Sequence, residues 1–512
     1  MGCNNDEPLK IADLSFKGEI PDRVPEPLDD FEESACPDIL KNMADVYCGF
    51  LTVPEDYSKP DGKTIRLAVA RLISDGSDVQ DDPIVYLEGG PGGSALETLS
   101  YLYDTFSEFA QNRDVILFDQ RGTGFSEPDM SCAFDDIQDE FFDTDVDALL
   151  TQCRDELVGD GVGLKFYNSQ TNAHDVDSLR KALGYKKWNL WGISYGTRLA
   201  LTVLRDYPGE VRSAIIDSTV PLEVNLFESL GANAQNAFEL LFNECEIETE
   251  CNSYYPDLMN HLLEALDKLD ASPKILNLSD GTPFDLTGTI VMNVLFQIMY
   301  SAEDLIYMPM LVNEIYNEDY ENVLSIIEQI SMQGSGVSTG MYLSVNCAEE
   351  YAYIDQDNFD TITENLYQRF VTDFGIDEYE SPCEIWNVPP APKKENSPVV
   401  SDLPVLVMSG YFDPITPPAW GEMIHKNLKN SQFFIFNNGS HGTSISICGT
   451  KMALNFLDSP TDDATIPCYS NLALDNFYTA LKTDRPSKIK FAKPETEIDK
   501  ISLKKISGFK RF

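Results

Sequence analysis

A five-residue segment, Gly192-Ile193-Ser194-Tyr195-Gly196, limits most narrowly what this chain can fold into. It comes at the end of an apolar run, 188–192, that predicts a strand, and it precedes residues 197–206, whose periodicity predicts a helix. Two glycines allow a tight turn from strand to helix, and such a turn exposes the serine hydroxyl above a sheet. The segment therefore predicts an α/β fold and makes Ser194 a candidate nucleophile.

Apolar runs of strand length recur along the chain and predict a mostly parallel sheet flanked by helices. The runs lie at 84–87, 115–118, 188–192, 214–216, 404–408 and 433–436. Helical patterns, for example at 173–183, separate several of these runs. Alternation of strands and helices is typical of a parallel sheet with right-handed crossovers, so the predicted fold class is α/β.

Between residues 221 and 397 the pattern changes to longer amphipathic stretches, such as 232–243 and 260–269, without comparable buried strands. This part of the sequence ends in a proline-rich connector, 388–392, which predicts an extended link back to the core. We therefore predict that a helical cap is inserted into the α/β core.

A serine hydroxyl requires a general base to act as a nucleophile at neutral pH, and the chain contains four histidines. His174, His261 and His425 lie in helical patterns, which favours packed or surface roles. His441 instead lies in a glycine-rich loop directly after the last apolar strand. In a fold with the chain order serine, acid, histidine, the base belongs in that loop, so His441 is the predicted base.

Asp413 is the predicted acid that orients His441, because it follows the strand at 404–408. The two residues are 28 positions apart, which is the length of one helix and one strand. Asp413 lies 219 positions after Ser194, far more than two strand–helix units require, and this excess locates the cap between nucleophile and acid. The alternative for Asp413 is a turn-forming aspartate before a proline.

A second glycine-rich loop, Gly89-Gly90-Pro91-Gly92-Gly93, follows the strand at 84–87 and predicts an oxyanion-binding loop. Because proline has no N–H group, the expected donors are Gly89 or Gly90, together with the backbone N–H of Tyr195. The charged turn at 119–126 follows the next strand. We interpret it as a structural ion-paired corner that supports the oxyanion loop.

The chain divides into five predicted regions of different composition. These are an N-terminal tether and wrapping segment (1–39), the first part of the core (40–220), the helical cap (221–397), the second part of the core (398–475) and a basic C-terminal tail (476–512). The tail carries ten Lys and Arg residues against four Asp and Glu. We expect it to dock on the acidic body, with contact to a membrane surface as the alternative.

The whole chain is strongly acidic, with 85 Asp and Glu against 37 Lys and Arg and a net charge of −48. A negative field of this size repels phosphate backbones and anionic headgroups, so nucleic acid is not an expected partner. No apolar run reaches the length of about 18 residues that a membrane-spanning helix needs. Nothing in the sequence specifies an oligomeric state.

Eleven cysteines are present, and ten of them fall into sequential neighbours. The neighbours are Cys36 and Cys48, Cys132 and Cys153, Cys245 and Cys251, Cys347 and Cys383, and Cys448 and Cys468. The chain has no CxxC pair, so disulfides in an oxidising compartment explain the cysteines better than a zinc site, and no metal site is predicted. Pairing of neighbours is the simplest of several possible connectivities.

The remaining cysteine, Cys3, follows Gly2 and precedes a polar, acidic stretch. This resembles the end of a bacterial lipoprotein signal, in which Cys3 would carry the lipid. An unmodified cysteine in a disordered terminus is the alternative. The expected location is extracytoplasmic: periplasmic, at the cell surface as a lipoprotein, or secreted.

Taken together, the motifs resemble one family, the α/β-hydrolase serine peptidases that include proline iminopeptidase and the secreted tripeptidyl aminopeptidases. The resemblance covers residues 48–470 and includes a C-terminal region like that of the tripeptidyl aminopeptidases. Its further motifs are Phe238-Glu-Leu-Leu-Phe242 with Cys245 and Cys251, Asn346-Cys347-Ala-Glu349, and the stretch Ser409–Gly421. One departure is Glu88, where many relatives have histidine.

The resemblance implies an α/β-hydrolase fold and an enzyme that releases residues from peptide amino termini through an acyl-enzyme on Ser194. An enzyme of this kind requires no cofactor. It further implies that cap carboxylates, Glu349 and its neighbour Glu350, hold the ammonium group of the substrate. For Glu349 the alternative is an ordinary charged residue beside a disulfide.

The same three catalytic residues also hydrolyse esters, so a carboxylesterase or lactonase acting on small esters is the alternative function. The expected partner is in either case a small substrate, a peptide or an ester. A binding lipoprotein without activity is least favoured, because Ser194, Asp413 and His441 are all present.

Overall fold

The computed structural model describes residues 23–479 except positions 29, 44 and 280 and the segments 133–145 and 332–335. Cys3 and most of the basic tail lie outside the described residues. The strands are β1 (Phe31–Ser34), β2 (Val46–Pro54), β3 (Thr64–Leu72), β4 (Ile84–Leu87), β5 (Val115–Phe118), β6 (Trp188–Ile193), β7 (Val211–Asp217), β8 (Lys274–Asn277), β9 (Pro283–Leu286), β10 (Ser401–Gly410) and β11 (Leu428–Phe436).

The helices fall into a group that flanks the core and a group that forms the cap. They are α1 (Ala95–Tyr101), α2 (Tyr103–Phe109), α3 (Val146–Gly159), α4 (Ser169–Ala182), α5 (Tyr195–Asp206), α6 (Leu226–Ile247), α7 (Thr249–Tyr254), α8 (Leu258–Ala271), α9 (Gly288–Ile298), α10 (Met308–Tyr316), α11 (Glu321–Ser331), α12 (Thr339–Glu349), α13 (Gln356–Thr363), α14 (Gln368–Asp373), α15 (Glu380–Trp386), α16 (Pro418–Asn427) and α17 (Ile447–Asp458).

In the described part of the chain, nine strands form one sheet in the order β1-β2-β3-β5-β4-β6-β7-β10-β11. Strands β5, β4, β6, β7, β10 and β11 pair in parallel. The six strands predicted from apolar runs are these six, and they are confirmed. The inner strands β5, β4, β6 and β7 are readily predicted because they are buried on both faces and are therefore nearly continuously apolar.

The sequence did not predict strands β1, β2 and β3, which form an antiparallel edge of the sheet. Charged residues interrupt the apolar pattern of β1 and β3, and β2 contains polar and small residues instead. Arg71 in β3, for example, is almost fully buried and binds Glu33 of β1 at 2.7 Å. A buried charge is tolerated there because another strand of the sheet, two positions away, supplies the opposite charge, and the sequence of β3 itself does not show this.

Successive residues of each strand point to opposite faces of the sheet. Both faces carry apolar side chains, and helices cover both of them. In β6, Leu190 packs into the cluster that includes Leu199 and Val203 of α5. The next residue, Trp191, packs on the other face, where its ring stacks on Phe109 with 4.2 Å between ring centroids. Both faces are thus buried at the strand that leads to Ser194.

Helices α6 to α15 lie between β7 and β10 and build the cap, much of which has a hydrophobic core of its own. The insertion that was predicted as helical at 221–397 also contains a small antiparallel hairpin, β8 and β9. Phe284 and Leu286 are buried on one side of this hairpin and alternate with exposed residues. Four-residue strands of this kind are too short to stand out from the surrounding helical pattern.

Both ends of the described chain pack against other parts of the protein. Near the start, Arg23 binds Asp114 at 2.8 Å. Near the end, Phe477 is buried in the cap core, and its N–H group lies 3.3 Å from a carboxylate oxygen of Glu248. The first residues of the predicted basic tail therefore dock on the cap, and residues 480–512 lie outside the described part.

Five disulfides join the ten sequential neighbours. They are Cys36–Cys48, Cys132–Cys153, Cys245–Cys251, Cys347–Cys383 and Cys448–Cys468. Bridges of this number indicate an oxidising compartment outside the cytoplasm. Among the described residues, no helix is long and apolar enough to cross a membrane, and no cluster of His, Cys, Asp and Glu is arranged to hold a metal ion.

Two cap disulfides should differ in their contribution to stability, because the loops they close differ in length. Cys347–Cys383 spans 36 positions and Cys245–Cys251 spans 6. Replacing both cysteines by alanine should lower the free energy of unfolding by about 4 kcal/mol for the long loop and about 2 kcal/mol for the short loop. Urea unfolding of the two double variants measures this difference, and the reverse order would contradict the prediction.

Candidate active site

Ser194 lies in the turn between β6 and α5, with φ 56° and ψ −124°. This left-handed conformation is unfavourable for a residue with a side chain and occurs mainly at functional sites. The turn is held in place because Ser194 N–H donates to the carbonyl of Asp217 at 3.0 Å, and the Ser194 carbonyl accepts from Thr197 N–H at 2.8 Å. The side chain is thereby presented at the carboxyl end of the sheet.

The two glycines of the motif are required by close backbone contacts on either side of Ser194. A Cβ atom at Gly196 would lie 1.9 Å from the carbonyl oxygen of Leu87, at the end of β4. A Cβ atom at Gly192 would lie 2.4 Å from the carbonyl oxygen of Gly196. Any side chain at either position would therefore displace the helix or the strand.

His441 and Asp413 form a buried pair, with 2.9 Å between Nδ1 and Oδ2. The hydroxyl of Thr416 donates to the same Asp413 oxygen at 2.6 Å, and the Ile415 N–H donates to the other at 3.0 Å. Burial alone would raise the pKa of Asp413, but His441 and the bonds from Thr416 outweigh it and hold the pKa below its usual value. Asp413 is therefore ionised at neutral pH and can stabilise a protonated imidazole.

The loop that carries His441 is held by the cap. His441 N–H donates to the carbonyl of Tyr300 at 3.2 Å, and the Ser440 hydroxyl donates to the carbonyl of Met299. The rings of Tyr300 and His441 meet edge to face, with centroids 5.0 Å apart. The end of α9 therefore fixes the histidine, although nothing in the local sequence around Tyr300 indicates this contact.

The other three histidines make contacts of a structural kind, as expected from their helical patterns. His174 is hydrogen-bonded to Tyr207, His261 stacks on Tyr316 in the cap, and His425 lies 2.7 Å from the Ser431 hydroxyl.

The predicted oxyanion loop follows β4 and contains Gly90 with φ 113° and a cis peptide bond before Pro91. One of its expected donors needs correction. The N–H group of Gly89 donates to Oε1 of Glu88 at 2.8 Å and is therefore occupied. The sequence showed that Glu88 departs from the family pattern but not that its side chain folds back onto this N–H, so the predicted donors reduce to Gly90 and Tyr195.

The charged corner at 119–126 supports the oxyanion loop, as predicted. One oxygen of Asp119 accepts from the Ser94 hydroxyl at 2.9 Å and from Leu96 N–H at 3.0 Å, and the other accepts from Phe125 N–H at 2.8 Å. Burial raises the pKa of Asp119 to about 7, although these hydrogen bonds act in the opposite direction. Two residues further on, Arg121 forms a fully buried ion pair with Asp175.

Comparison with known proteins assigns the chain to a family. The model of the alpha/beta hydrolase fold matches residues 82–277, and the model described as TAP-like protein matches residues 369–468. The first match includes the oxyanion loop and Ser194, and the second includes Asp413 and His441. The chain belongs to the α/β-hydrolase family.

The relatives of this α/β-hydrolase include two named as peptidases and one named as a carboxylesterase. Serine protease Hip1 of Mycobacterium tuberculosis is 26% identical over 431 residues, which cover 75% of this chain and 79% of that protein. Tripeptidyl aminopeptidase of Streptomyces lividans is 34% identical over 214 residues, 38% of this chain and 39% of that protein. Carboxylesterase B of M. tuberculosis is 27% identical over 289 residues, 50% of this chain and 54% of that protein.

Glu349 lies at the end of α12, but its carboxylate is already bound by other residues of the same chain. One oxygen accepts from Ser169 N–H at 2.7 Å. The other accepts from the Ser169 hydroxyl at 2.7 Å and from Nε of Arg198 at 2.9 Å. Since Glu349 is only 1% exposed, its expected role in holding a substrate ammonium is corrected to a structural one.

Glu350 binds the same arginine. One carboxylate oxygen lies 3.0 Å from a terminal nitrogen of Arg198, and the other accepts from Leu226 N–H, at the start of α6, at 2.8 Å. Burial raises the pKa of Glu350 to about 7, against the effect of Arg198. The expected role of Glu350 in holding a substrate ammonium is therefore also corrected to a structural one. The signal that was missed is Arg198 itself, a cation one helical turn after Ser194 that needs a buried partner.

Replacing Glu349 by glutamine should therefore lower stability and leave substrate selectivity unchanged. Breaking a buried ion pair leaves Arg198 incompletely compensated, and we expect a loss of about 3 kcal/mol in the free energy of unfolding. Urea unfolding measures this loss. The control is Glu422→Gln, which breaks an exposed pair with Lys426 and should cost less than about 1 kcal/mol. A normal stability with weaker activity only on substrates with a free amino terminus would restore the ammonium-binding role.

Proposed function

We propose that this α/β-hydrolase is a serine hydrolase that releases residues from the amino termini of peptides, with Ser194, His441 and Asp413 as catalytic residues. The observation that carries the proposal is a serine in a strained strand–helix turn, in a protein with a buried His441–Asp413 pair 2.9 Å apart. The match to the TAP-like model and the relatives named serine protease and tripeptidyl aminopeptidase support the peptide substrate.

In the first half of the proposed reaction, the Ser194 hydroxyl oxygen attacks the carbonyl carbon of the scissile peptide bond. Nε2 of His441 takes the hydroxyl proton, and ionised Asp413 stabilises the imidazolium that forms. The negative charge on the carbonyl oxygen is held by the backbone N–H groups of Gly90 and Tyr195. The imidazolium then gives its proton to the departing amine, and an acyl-enzyme remains.

In the second half, water replaces the amine. His441 removes a proton from the water as it attacks the acyl carbon, the bond to Ser194 breaks, and the Ser194 oxygen regains a proton from His441. The released acyl part is the amino-terminal piece of the peptide, now with a free carboxylate. All groups required for both halves belong to the chain itself.

Contacts of the cap support a preference for chain ends. On one side, Ser338 N–H donates to the carbonyl of Gly92 at 3.0 Å, next to a β-bridge between Gly93 and Val337. On the other side, Tyr300 contacts His441. Because cap residues contact both the oxyanion loop and the histidine loop, the cap restricts the space above them, and the end of a peptide enters such a site more readily than the middle of a folded chain.

The second candidate is a carboxylesterase that acts on small esters. It is favoured by the similarity to carboxylesterase B over half of this chain. The same catalytic groups serve both reactions, so the substrate alone distinguishes the two functions.

Removal of the nucleophile tests the shared chemistry. Ser194→Ala should lower kcat by a factor of about 10³ or more on every substrate, while the circular dichroism spectrum stays unchanged. His441→Ala should do the same, whereas His425→Ala, whose ring contacts Ser431, should keep wild-type kcat. Retention of more than a tenth of the wild-type rate by Ser194→Ala would exclude Ser194 as the nucleophile.

A substrate panel separates the two functions. Wild-type protein is assayed on aminoacyl and prolyl-peptide arylamides with a free amino terminus, on the same compounds after acetylation, and on p-nitrophenyl esters. Recognition of the ammonium involves a charge-assisted contact, so acetylation should lower kcat/KM by about 10-fold or more. Equal rates on free and acetylated peptides would contradict release from the amino terminus, and activity on esters alone would establish the second candidate.

We further propose that the protein is held at a membrane surface by a lipid on Cys3. The support is the sequence Gly2-Cys3 with its acidic continuation, together with the five disulfides. Mass spectrometry of the amino-terminal peptide from the native source should find Cys3 in thioether linkage to a lipid. An unmodified Cys3 would contradict the anchor but not the enzymatic proposal.

A further inference from the structure

Another buried aspartate, Asp217, contacts both the turn of Ser194 and the loop of His441 but is outside the proposed catalytic triad. It is the last residue of β7, which lies in the sheet between β6, the strand before Ser194, and β10, the strand before Asp413. Its carbonyl accepts the hydrogen bond from Ser194 N–H at 3.0 Å, and the next residue, Ser218, donates its N–H to Met408 of β10 at 3.0 Å. The end of β7 therefore connects the nucleophile turn to the strand before the acid.

The carboxylate of Asp217 binds the residues that directly follow His441. One oxygen accepts from the Thr443 hydroxyl at 2.8 Å, and the other accepts from Ser444 N–H at 2.5 Å. The Ser218 hydroxyl accepts from Gly442 N–H at 2.9 Å. Three successive residues after the histidine are thus attached to the end of β7.

This attachment is buried inside the protein. Asp217, Ser218 and Ser444 are fully buried, and Thr443 is nearly so. Ser218 has φ 55°, an unfavourable conformation that the surrounding contacts maintain and that is typical of functional sites. The Ser444 hydroxyl in turn accepts from Nε1 of Trp191 in β6 at 3.0 Å, so the loop is also fixed to the strand before the nucleophile.

We propose that Asp217 is a positioning residue for the hydrolysis, because its carbonyl fixes Ser194 while its carboxylate fixes the loop of His441. One side chain and its own backbone thereby set the placement of the imidazole relative to the hydroxyl from which it takes a proton. The inference deepens the proposed function and rests on it. Asp413 retains a different role, since it binds the imidazole itself.

The charge of Asp217 also acts on His441. Burial raises the pKa of Asp217, while the bonds from Ser444 and Thr443 and the charge of His441 lower it. The interaction is reciprocal, so a negative charge on Asp217 favours the protonated form of the His441 imidazole. The groups that face His441 in the described part of the chain include Asp413 from the loop after β10, Asp217 from β7 and Tyr300 from the cap. Loss of the Asp217 charge should therefore disfavour the imidazolium, and the acid limb of kcat/KM should move to lower pH.

Two substitutions separate geometry from charge. In Asp217→Asn the amide oxygen can accept from Ser444 N–H and the amide nitrogen can donate to the Thr443 hydroxyl, so the loop contacts persist without the charge. In Asp217→Ala both contacts are lost. The readouts are the second-order rate of labelling by a fluorophosphonate probe, which needs only a reactive serine, and kcat, KM and the pH profile on p-nitrophenyl acetate.

The expected results follow from misplacement of the imidazole. Asp217→Ala should lower the labelling rate and kcat by about 100-fold with KM changed less than about threefold. Asp217→Asn should lower the labelling rate and kcat by only about 10-fold, and the acid limb of its kcat/KM profile should move by about half a pH unit to lower pH. The control is Asp114→Asn, at a buried aspartate directly before β5 that binds Arg23 and Ser74 N–H. It should lose stability but react at the wild-type rate per folded molecule.

The outcomes are distinguishable. Wild-type rates and an unshifted acid limb in both Asp217 variants would overturn the positioning role. A slower Asp217→Asn with a raised KM and an unshifted acid limb would also overturn it, because that pattern indicates general loss of structure. If Asp217→Ala does not fold, Asp217→Asn carries the test alone. Absence of fluorophosphonate labelling in the wild type and in Asp114→Asn would instead refute the proposed serine hydrolase function.

Discussion

The structure around the candidate active site depends on a backbone contact that only glycine permits. The start of α5 lies so close to the end of β4 that a single added carbon at Gly196 would overlap the carbonyl oxygen of Leu87. This contact brings the Ser194 turn next to the loop that begins at Glu88. It also places the positive end of α5 beside the proposed oxyanion loop, an arrangement in which the helix dipole and backbone N–H groups can stabilise a developing negative charge.

Parallel pairing then determines where the other groups meet. Strands β4, β6, β7, β10 and β11 run in the same direction, so the loops after them all leave the same edge of the sheet. Ser194, Asp217, Asp413 and His441 lie on or at the ends of those loops. The cap adds contacts from above, because Tyr300 and Ser338 bind the histidine loop and the oxyanion loop. Site geometry is thus shared between the core and an insertion that is far from it in sequence.

Buried charges fasten the cap to the core. Arg198 of α5 binds Glu349 and Glu350, and Glu350 also binds the first turn of α6. Removing such groups from water is costly, and the cost is offset only when each charge has a close partner and further hydrogen bonds. These ion pairs therefore hold the end of α12 against α5. Loss of one of the three charged side chains would leave the others without full compensation.

The sequence by itself determined the fold class, the turn at Ser194 and six apolar strands, because each of these has a local pattern or a fixed order along the chain. For the cysteines it offered neighbour pairing only as the simplest connectivity, and the structure decided the five pairs. From the order of Ser194, Asp413 and His441 along the chain, the sequence also predicted the role of each residue. Only the tertiary structure decided the partners of polar groups. Glu349 lies 151 positions from Arg198, and Asp217 lies 227 positions from Ser444. The sequence does not reveal whether a carboxylate binds water, a substrate or a distant arginine. Only the folded chain determines which of these lies beside it.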